Sequence, residues 1–148
     1  MPAAQARERI MNGSGYRSVP HTADLRIEAW APTRDECIAQ AVRGAVASFA
    51  DISSAGPGRV RNRPLTADGD EDLLVAVLDE VIYLLDTAGE IPIDVVVESG
   101  GGTAEARFSM VDAAAVPQIG AVPKAVSLHE LRLDRRPEGW SCSVTLDV

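Results

Sequence analysis

The sequence predicts an α+β domain of two layers, in which two helices pack on a mixed, mostly antiparallel sheet. Two observations predict this class. Helical periodicity occurs twice, both times in the first two thirds of the chain, whereas alternating strands and turn residues fill the rest. With 148 residues, 46% of them hydrophobic and 24% charged, the chain suits one globular domain with a buried core.

The N-terminal residues lack this patterning. Residues 1–15 show no apolar periodicity and are predicted to be a disordered leader, followed by a single domain over residues 16–148. The leader has no apolar segment typical of a secretory signal. No apolar run in the chain approaches the roughly 20 residues of a membrane span. We therefore expect a cytoplasmic protein with no membrane partner.

The first strand is predicted over residues 25–29, where apolar and polar residues alternate. The first helix follows directly. Thr33 and Glu36 have the spacing of a capping box, and apolar residues then recur every three or four positions as far as Phe49. This pattern predicts an amphipathic helix behind a well-defined start.

An edge strand and a second helix follow. Residues 59–66 alternate weakly around Pro64, which favours the edge of a sheet. Acidic residues at 68–72 suit the start of a helix, and the apolar stripe from Leu74 to Leu85 predicts its buried face. Gly89 is predicted to end this helix in the left-handed conformation.

The remaining residues predict four strands. Residues 91–98 and 103–109 form a hairpin around a glycine-rich turn, and residues 124–134 and 140–147 form two further strands. The apolar phase changes at His129, which predicts a β-bulge there.

Charge and cysteine content argue against several classes of protein. The 14 Lys and Arg against 22 Asp and Glu give a net charge of −8, which argues against strong direct binding of nucleic acid. The two cysteines, Cys37 and Cys142, lie far apart in sequence, without the spacing of a zinc site or a disulfide framework. Both fall on apolar faces, so we expect inert core thiols.

Two polar segments are candidate metal or catalytic sites. His21-Thr22-Ala23-Asp24 stands just before a buried strand, where it forms either such a site or an ordinary turn. Since the chain has only two histidines, a histidine-rich zinc site is excluded. At the other end, Asp147 and the terminal carboxylate of Val148 would hold Ca²⁺ or Mg²⁺ if a further carboxylate joined them. The alternative is a solvated chain end.

Lys124 is a third candidate. It stands at the entry to a predicted strand, where a lone lysine usually serves as a solvated charge that protects the sheet edge.

These same segments resemble the archease family, over about residues 16–148. The match lies in four pieces that occur in the family's order and spacing: His21-Thr22-Ala23-Asp24 with the strand after it, Tyr83-Leu84-Leu85-Asp86-Thr87, Lys124-Ala125-Val126-Ser127-Leu128-His129, and Leu146-Asp147-Val148.

The resemblance implies a non-enzymatic activator of an RtcB-type RNA ligase. Such a ligase uses GTP and divalent metal to join RNA ends in tRNA splicing or RNA repair, and an archease promotes its guanylylation and turnover. The resemblance also implies, as an alternative, a chaperone of a tRNA methyltransferase.

The resemblance further implies which residues act. A divalent cation (Ca²⁺, or Mg²⁺ or Mn²⁺) is held by Asp24 and Asp147, with Val148 as a further ligand. Three other residues match functional positions of the family, one in activation and two in support: Lys124, and His21 with His129.

Two rival functions remain open from the residues. A metal-dependent phosphohydrolase would use Asp24, Asp147 and His129, although acid and base groups are few. An RNA-binding chaperone would bind RNA weakly and with strong salt dependence, given the net charge.

Overall fold

A computed structural model describes residues 7–11, 13–21, 24–100 and 102–148. Two helices and eight strands make up the described part of the fold. In chain order they are β1 (Arg7–Met11), β2 (Ser14–His21), β3 (Asp24–Ala31), α1 (Arg34–Ala47), β4 (Arg59–Thr66), α2 (Asp70–Ala88), β5 (Glu90–Gly100), β6 (Thr103–Asp112), β7 (Ala125–Arg136) and β8 (Gly139–Asp147). None of the described helices is both long enough and apolar enough to cross a membrane.

The strands form two sheets. The larger has the order β1-β2-β3-β8-β7, and the smaller has the order β4-β6-β5. Every pairing between the described strands is antiparallel. Helix α1 contacts β3 of the larger sheet and β5 of the smaller, and α2 contacts β7 and β5. The predicted α+β class with two packed helices is therefore confirmed, with the strands divided between two sheets.

The core lies where the helices meet the sheets. Burial alternates along β3, and Leu25, Ile27 and Ala29 point towards the helices as their spacing predicts. Strand β6 contributes Phe108 and Met110, both fully buried. The opposite face of the larger sheet carries the polar positions of β3 and is partly exposed. One face of the larger sheet thus forms part of the core, and the other is open to contact with a ligand or another protein.

The helix ends follow their predicted signals with one difference. The Glu36 N–H donates to Thr33 Oγ1 at 3.2 Å, as in a capping box. The Glu36 carboxylate instead accepts bonds from Gln40 (2.8 Å) and Arg43 (2.7 Å), so only half of the box forms. Gly89 ends α2 with φ 65°, as predicted.

The predicted leader is partly wrong. Strand β1 lies inside residues 1–15 and pairs with β2, which itself begins inside the predicted leader, at Ser14. A strand pair is held by backbone hydrogen bonds, which need no apolar alternation, so the sequence pattern shows no sign of it. Residues 1–6 of the leader lie outside the described residues.

The two cysteines are brought together by the packing of α1 on the larger sheet. The Cys37 thiol donates to the Ala29 carbonyl at 3.6 Å, and Cys142 is the partner of Ala29 in the register between β3 and β8. Hydrogen bonding with the Cys142 thiol, together with burial, raises the pKa of the Cys37 thiol. Both residues are buried in the core, as expected, but their contact follows only from the fold.

Candidate functional site

Asp24 and Asp147 face each other across two neighbouring strands. Asp24 begins β3, Asp147 ends β8, and the two are direct partners in the antiparallel register. Their chain neighbours Leu25 and Leu146 are buried towards the helices, so both carboxylates lie on the open face of the larger sheet. Directly opposed residues have Cβ atoms roughly 4.5–5.5 Å apart. Asp24 and Asp147, which are 123 positions apart in sequence, are therefore neighbours.

Lys124 lies next to the aspartate pair, directly before the neighbouring strand β7. Its backbone N–H donates to the Asp147 carbonyl at 2.8 Å, and the next residue, Ala125, is the β7 partner of Asp147. The Lys124 side chain is exposed, as expected for a lysine at a strand entry. The aspartate pair and the lysine thus occupy one end of the sheet.

The segment His21-Thr22-Ala23-Asp24 connects this end of the sheet to a fourth strand, β2. His21 is the last residue of β2, and its Cα partner is Asp24. Thr22 and Ala23, the predicted turn residues, lie outside the described residues. The row His21, Asp24, Asp147 and Ala125 runs across four strands. We call this row, with the adjoining Lys124 and Val148, the sheet corner.

His129 does not lie in this row. Strand β7 has four residues between Ser127 and Arg132, whereas β8 has only Val144 between the partners of those two, which confirms the predicted bulge. His129 stands in the bulge with its side chain 81% exposed, and its Nε2 is 3.4 Å from a carboxylate oxygen of Glu130. Glu130 has φ 57°, a conformation rare for a residue with a side chain.

Arg26 is a neighbour that the sequence patterns did not single out. It lies two residues after Asp24, on the same open face, opposite Thr145. Its Nε is 3.6 Å from a Glu28 carboxylate oxygen, close enough for an ion pair but too long for a hydrogen bond. That Nε is buried and has no hydrogen-bond partner among the described residues. The period-two spacing of β3 was the signal that could have placed Arg26 beside Asp24.

The donor chemistry at the sheet corner suits a hard divalent cation. Carboxylate oxygens are the preferred ligands of Ca²⁺ and Mg²⁺, and two of them converge here. Like charges placed directly opposite each other on a sheet are also destabilising, and a cation would relieve this. However, the described residues include no group of three or more His, Cys, Asp or Glu side chains placed to hold a metal. Asp24 and Asp147 therefore fit a cation as a partial ligand set.

A buried carboxylate with a strongly lowered pKa lies in the smaller sheet, away from the sheet corner. Glu90, buried at the start of β5, accepts hydrogen bonds from Arg61 (2.5 Å) and Arg59 (2.5 Å). These bonds lower the pKa of Glu90 to about 2. Because its charge is already satisfied by two guanidinium groups, Glu90 is a structural residue that ties β4 to β5.

Comparison with known sequences gives one consistent result. Residues 16–148 match the profile of the "Archease protein family (MTH1598/TM1083)". A Mycobacterium tuberculosis protein named "Probable protein archease" is 62% identical over 135 residues, which cover 91% of this chain and 75% of the relative. "Protein archease" of Archaeoglobus fulgidus is 27% identical over 135 residues, covering 90% of this chain and 98% of that one.

Solved structures show the same fold. The solution structure of Methanobacterium thermoautotrophicum protein 1598 aligns with a TM-score of 0.73 at 19% identity, over 93% of this chain and 100% of that chain. A Thermotoga maritima crystal structure, described as that of "an archease, possible chaperone", aligns with a TM-score of 0.63 at 16% identity, over 86% and 93% of the two chains. At such identities the structures speak for the fold alone, whereas the profile match and the 62% identity establish that this chain belongs to the archease family.

Proposed function

We propose that this protein is a non-enzymatic activator of an RtcB-type RNA ligase, which it assists by presenting a divalent cation and a lysine at the sheet corner. The family membership supports the proposal. The observation that carries it is the register of the larger sheet: Asp24 opposes Asp147, and the Lys124 N–H bonds to the Asp147 carbonyl. Three segments that resemble archease motifs thus converge at one end of one sheet.

Each residue has a distinct task in this proposal. Asp24 and Asp147 bind the cation from adjacent strands, and Val148, next to Asp147, is a further ligand. Water or a carboxylate or phosphate of the ligase completes the coordination, since two side chains are too few for Ca²⁺ or Mg²⁺. When bound, the cation supplies positive charge that offsets the charge of a phosphate group. Lys124 places a compact, flexible ammonium beside the same point.

The remaining residues of this end have supporting roles. Arg26 lies on the same face, where its guanidinium limits the negative potential around the aspartate pair. His21 anchors the β2 end of the row through its pairing with Asp24. His129 acts from the bulge, outside the row, and would contact the ligase and not the cation.

The net charge of −8 supports docking on an RNA-processing enzyme. Such enzymes expose basic surface to bind phosphates, and complementary charge accelerates the encounter of two proteins. The ligase contact should therefore weaken as salt concentration rises.

A guanylylation assay tests the proposal. Limiting RtcB-type ligase is incubated with labelled GTP and divalent metal, with and without this protein, and covalent GMP on the ligase is measured. We expect Asp24→Asn, Asp147→Asn and Lys124→Met each to reduce the stimulation by about tenfold or more. Asp68→Asn, which changes an aspartate in the loop before α2, is the matched control and should stimulate normally.

The outcome that contradicts the proposal is equally specific. If the unmodified protein gives no increase in guanylylation, or if both aspartate variants stimulate as well as Asp68→Asn, the sheet corner is not the activating site.

A second function is favoured by one observation: the Thermotoga maritima protein that shares this fold is described as a "possible chaperone". Under this alternative the protein protects a tRNA methyltransferase from aggregation. Light scattering of the heated methyltransferase, with and without an equimolar amount of this protein, distinguishes the two functions. We do not propose a phosphohydrolase, since His129, its best acid–base candidate, lies on the exposed bulge and outside the aspartate row.

A further inference from the structure

An open groove of about 970 Å³ lies at the far end of the molecule from the sheet corner. It is bounded by α1, by the start of β5 and by the segment after α1. Pro32, which follows β3, lines it, whereas Asp24 begins β3. At roughly 3.3 Å per residue, the strand separates the groove from the aspartate pair by about 23 Å. The groove is therefore a second surface, independent of the proposed activating site.

The outer wall of the groove is held in place by backbone hydrogen bonds. The Ile119 N–H donates to the Phe49 carbonyl at 2.8 Å, and the Asp51 N–H donates to the Pro117 carbonyl at 2.9 Å. Gly120 packs so closely on Ser48 that a Cβ atom there would overlap the Ser48 carbonyl oxygen. The loop carrying Ile119 is thus fastened to the end of α1, and the groove exists without a partner.

The surface of the groove is mainly apolar. The floor includes Val46 of α1, Ala50 from the segment after that helix, and Ile93 of β5. Ile119 stands on the rim with 47% of its surface exposed, although it is a large aliphatic residue. An apolar concavity of this size with an exposed aliphatic rim is typical of a binding site.

The charges at the rim are predominantly negative. Among the described residues of the lining, Arg43 is the one cation, and Glu36 (2.7 Å) and Asp94 (2.9 Å) already neutralise it. Asp51 adds a third carboxylate, giving one positive charge against three negative charges. The Ser53 hydroxyl and N–H donate to Asp51 and lower the pKa of its carboxyl. The rim therefore stays negative at neutral pH and attracts cationic side chains.

The β5 edge beside the groove does not suit the addition of a strand. Pro92 lacks an N–H, and the pairing register of β5 shifts between Pro92 and Asp94. The Val95 carbonyl already accepts a bond from Arg43 Nη2 at 3.2 Å. An extended peptide would thus find few backbone partners, whereas a helix needs only side-chain contacts.

We propose that this groove binds an amphipathic helix of a partner protein, whose aliphatic side chains enter the groove while its Lys or Arg residues meet the carboxylates of Glu36, Asp51 and Asp94. The partner helix is thus specified by shape, apolar surface and positive charge together. Its binding leaves the sheet corner open, so one molecule of this protein can engage two surfaces at once.

Fluorescence anisotropy with a labelled peptide tests the proposal. The probe is an amphipathic helix of about 18 residues, or five turns, containing only Leu and Lys, and a second peptide replaces every Lys with Glu. We expect the Lys peptide to bind the full chain, with affinity that falls as salt rises, and the Glu peptide to bind at least about tenfold more weakly.

Variants of the protein locate the binding. Ile119→Asp should weaken the Lys peptide about tenfold, because an apolar anchor at the rim is lost. The double change Asp51→Asn and Asp94→Asn should weaken it about fivefold, since ion pairs between exposed side chains contribute little to affinity. Val60→Asp is the matched control, an exposed aliphatic residue on β4 that does not line the groove, and should bind normally.

Three outcomes overturn the proposal. The Glu peptide could bind as tightly as the Lys peptide, or Ile119→Asp could bind as tightly as Val60→Asp. Alternatively, sedimentation could show a dimer that Ile119→Asp converts to a monomer, in which case a second copy of this chain occupies the groove. Circular dichroism of each variant confirms that it is folded, so a loss of binding is assigned to the groove.

Discussion

Glu90 and the aspartate pair are two acidic sites in opposite surroundings. Glu90 is buried and forms ion pairs with Arg59 and Arg61 of β4, so the chain itself supplies its counter-charge. Asp24 and Asp147 lie on an open sheet face, and each has the other as its direct cross-strand partner. At Glu90 the strongly lowered carboxyl pKa therefore reflects a structural role. The proposed function lies where like charges are brought together.

The largest effect should come from the structural carboxylate. Glu90→Ala removes the shared partner of Arg59 and Arg61, and we expect it to lower the free energy of unfolding by about 3 kcal/mol, the lower end for a broken buried pair because both arginines remain partly exposed. Urea denaturation at neutral pH measures this change.

Glu98→Ala on the same strand is the matched control. Glu98 and Arg107 are both well exposed and 3.9 Å apart, so the loss should be below about 1 kcal/mol. Equal losses for the two variants would remove the distinction between a buried and an exposed ion pair.

The aspartate pair should affect stability only through the cation. Ca²⁺ at a hundred times its dissociation constant should raise the free energy of unfolding of the unmodified protein by about 2.7 kcal/mol. Asp147→Asn should lose most of this gain. Without metal, the same variant should be at least as stable as the unmodified protein, since a like-charge contact has been relieved.

Thermal unfolding with and without Ca²⁺, repeated with Mg²⁺ and Mn²⁺, checks this prediction and identifies the preferred ion. Asp68→Asn should respond as the unmodified protein does. A metal response that survives in Asp147→Asn would place the cation elsewhere.

Lowering the pH should remove the stability that the Glu90 carboxylate contributes. The pKa of Glu90 is lowered from 4.5 to about 2, so its contribution to stability is complete above pH 4.5 and is lost as the pH falls towards 2. We expect the urea midpoint of the unmodified protein to fall as the pH is lowered from 4.5 to about 2, the interval between these two pKa values. In Glu90→Gln this fall should be smaller, because no charge remains to be titrated; an identical fall in both proteins would contradict the assignment.

The smallest effect should come from Val148. Fusing a tag directly after Val148 should disturb this ligand, and calorimetry should show a measurable loss of metal affinity, smaller than about tenfold, relative to a protein tagged at the N-terminus. Unchanged affinity would remove Val148 from the proposed ligands, while Asp24 and Asp147 would stay.

Local patterns predicted most elements of the fold. The alternation along β3, the Thr33 cap and the left-handed Gly89 each depend on residues close in sequence, and each is confirmed. The phase change at His129 also predicted the bulge of β7. By contrast, β1 and β2 were both missed, since their pairing relies on backbone bonds that leave no apolar pattern.

The candidate site was predicted less completely. Resemblance to the archease family selected Asp24, Asp147 and Lys124, and the register brings these together. It also selected His129, which the bulge holds outside the row. Arg26 was not selected, although period-two spacing from Asp24 places it on the same face.

Local patterns were enough to predict the class of the fold, the two helices and the residues that resemble a family motif, because periodicity, caps and turns act over a few positions. Which of those residues meet depends on tertiary packing. The pairing of β3 with β8 opposes two aspartates that are 123 positions apart, and the packing of α1 brings Cys37 to Cys142. The docking of a loop on the end of α1 likewise shapes the groove. Strand register and helix packing are set by the fit of the whole core, which no short stretch of sequence contains.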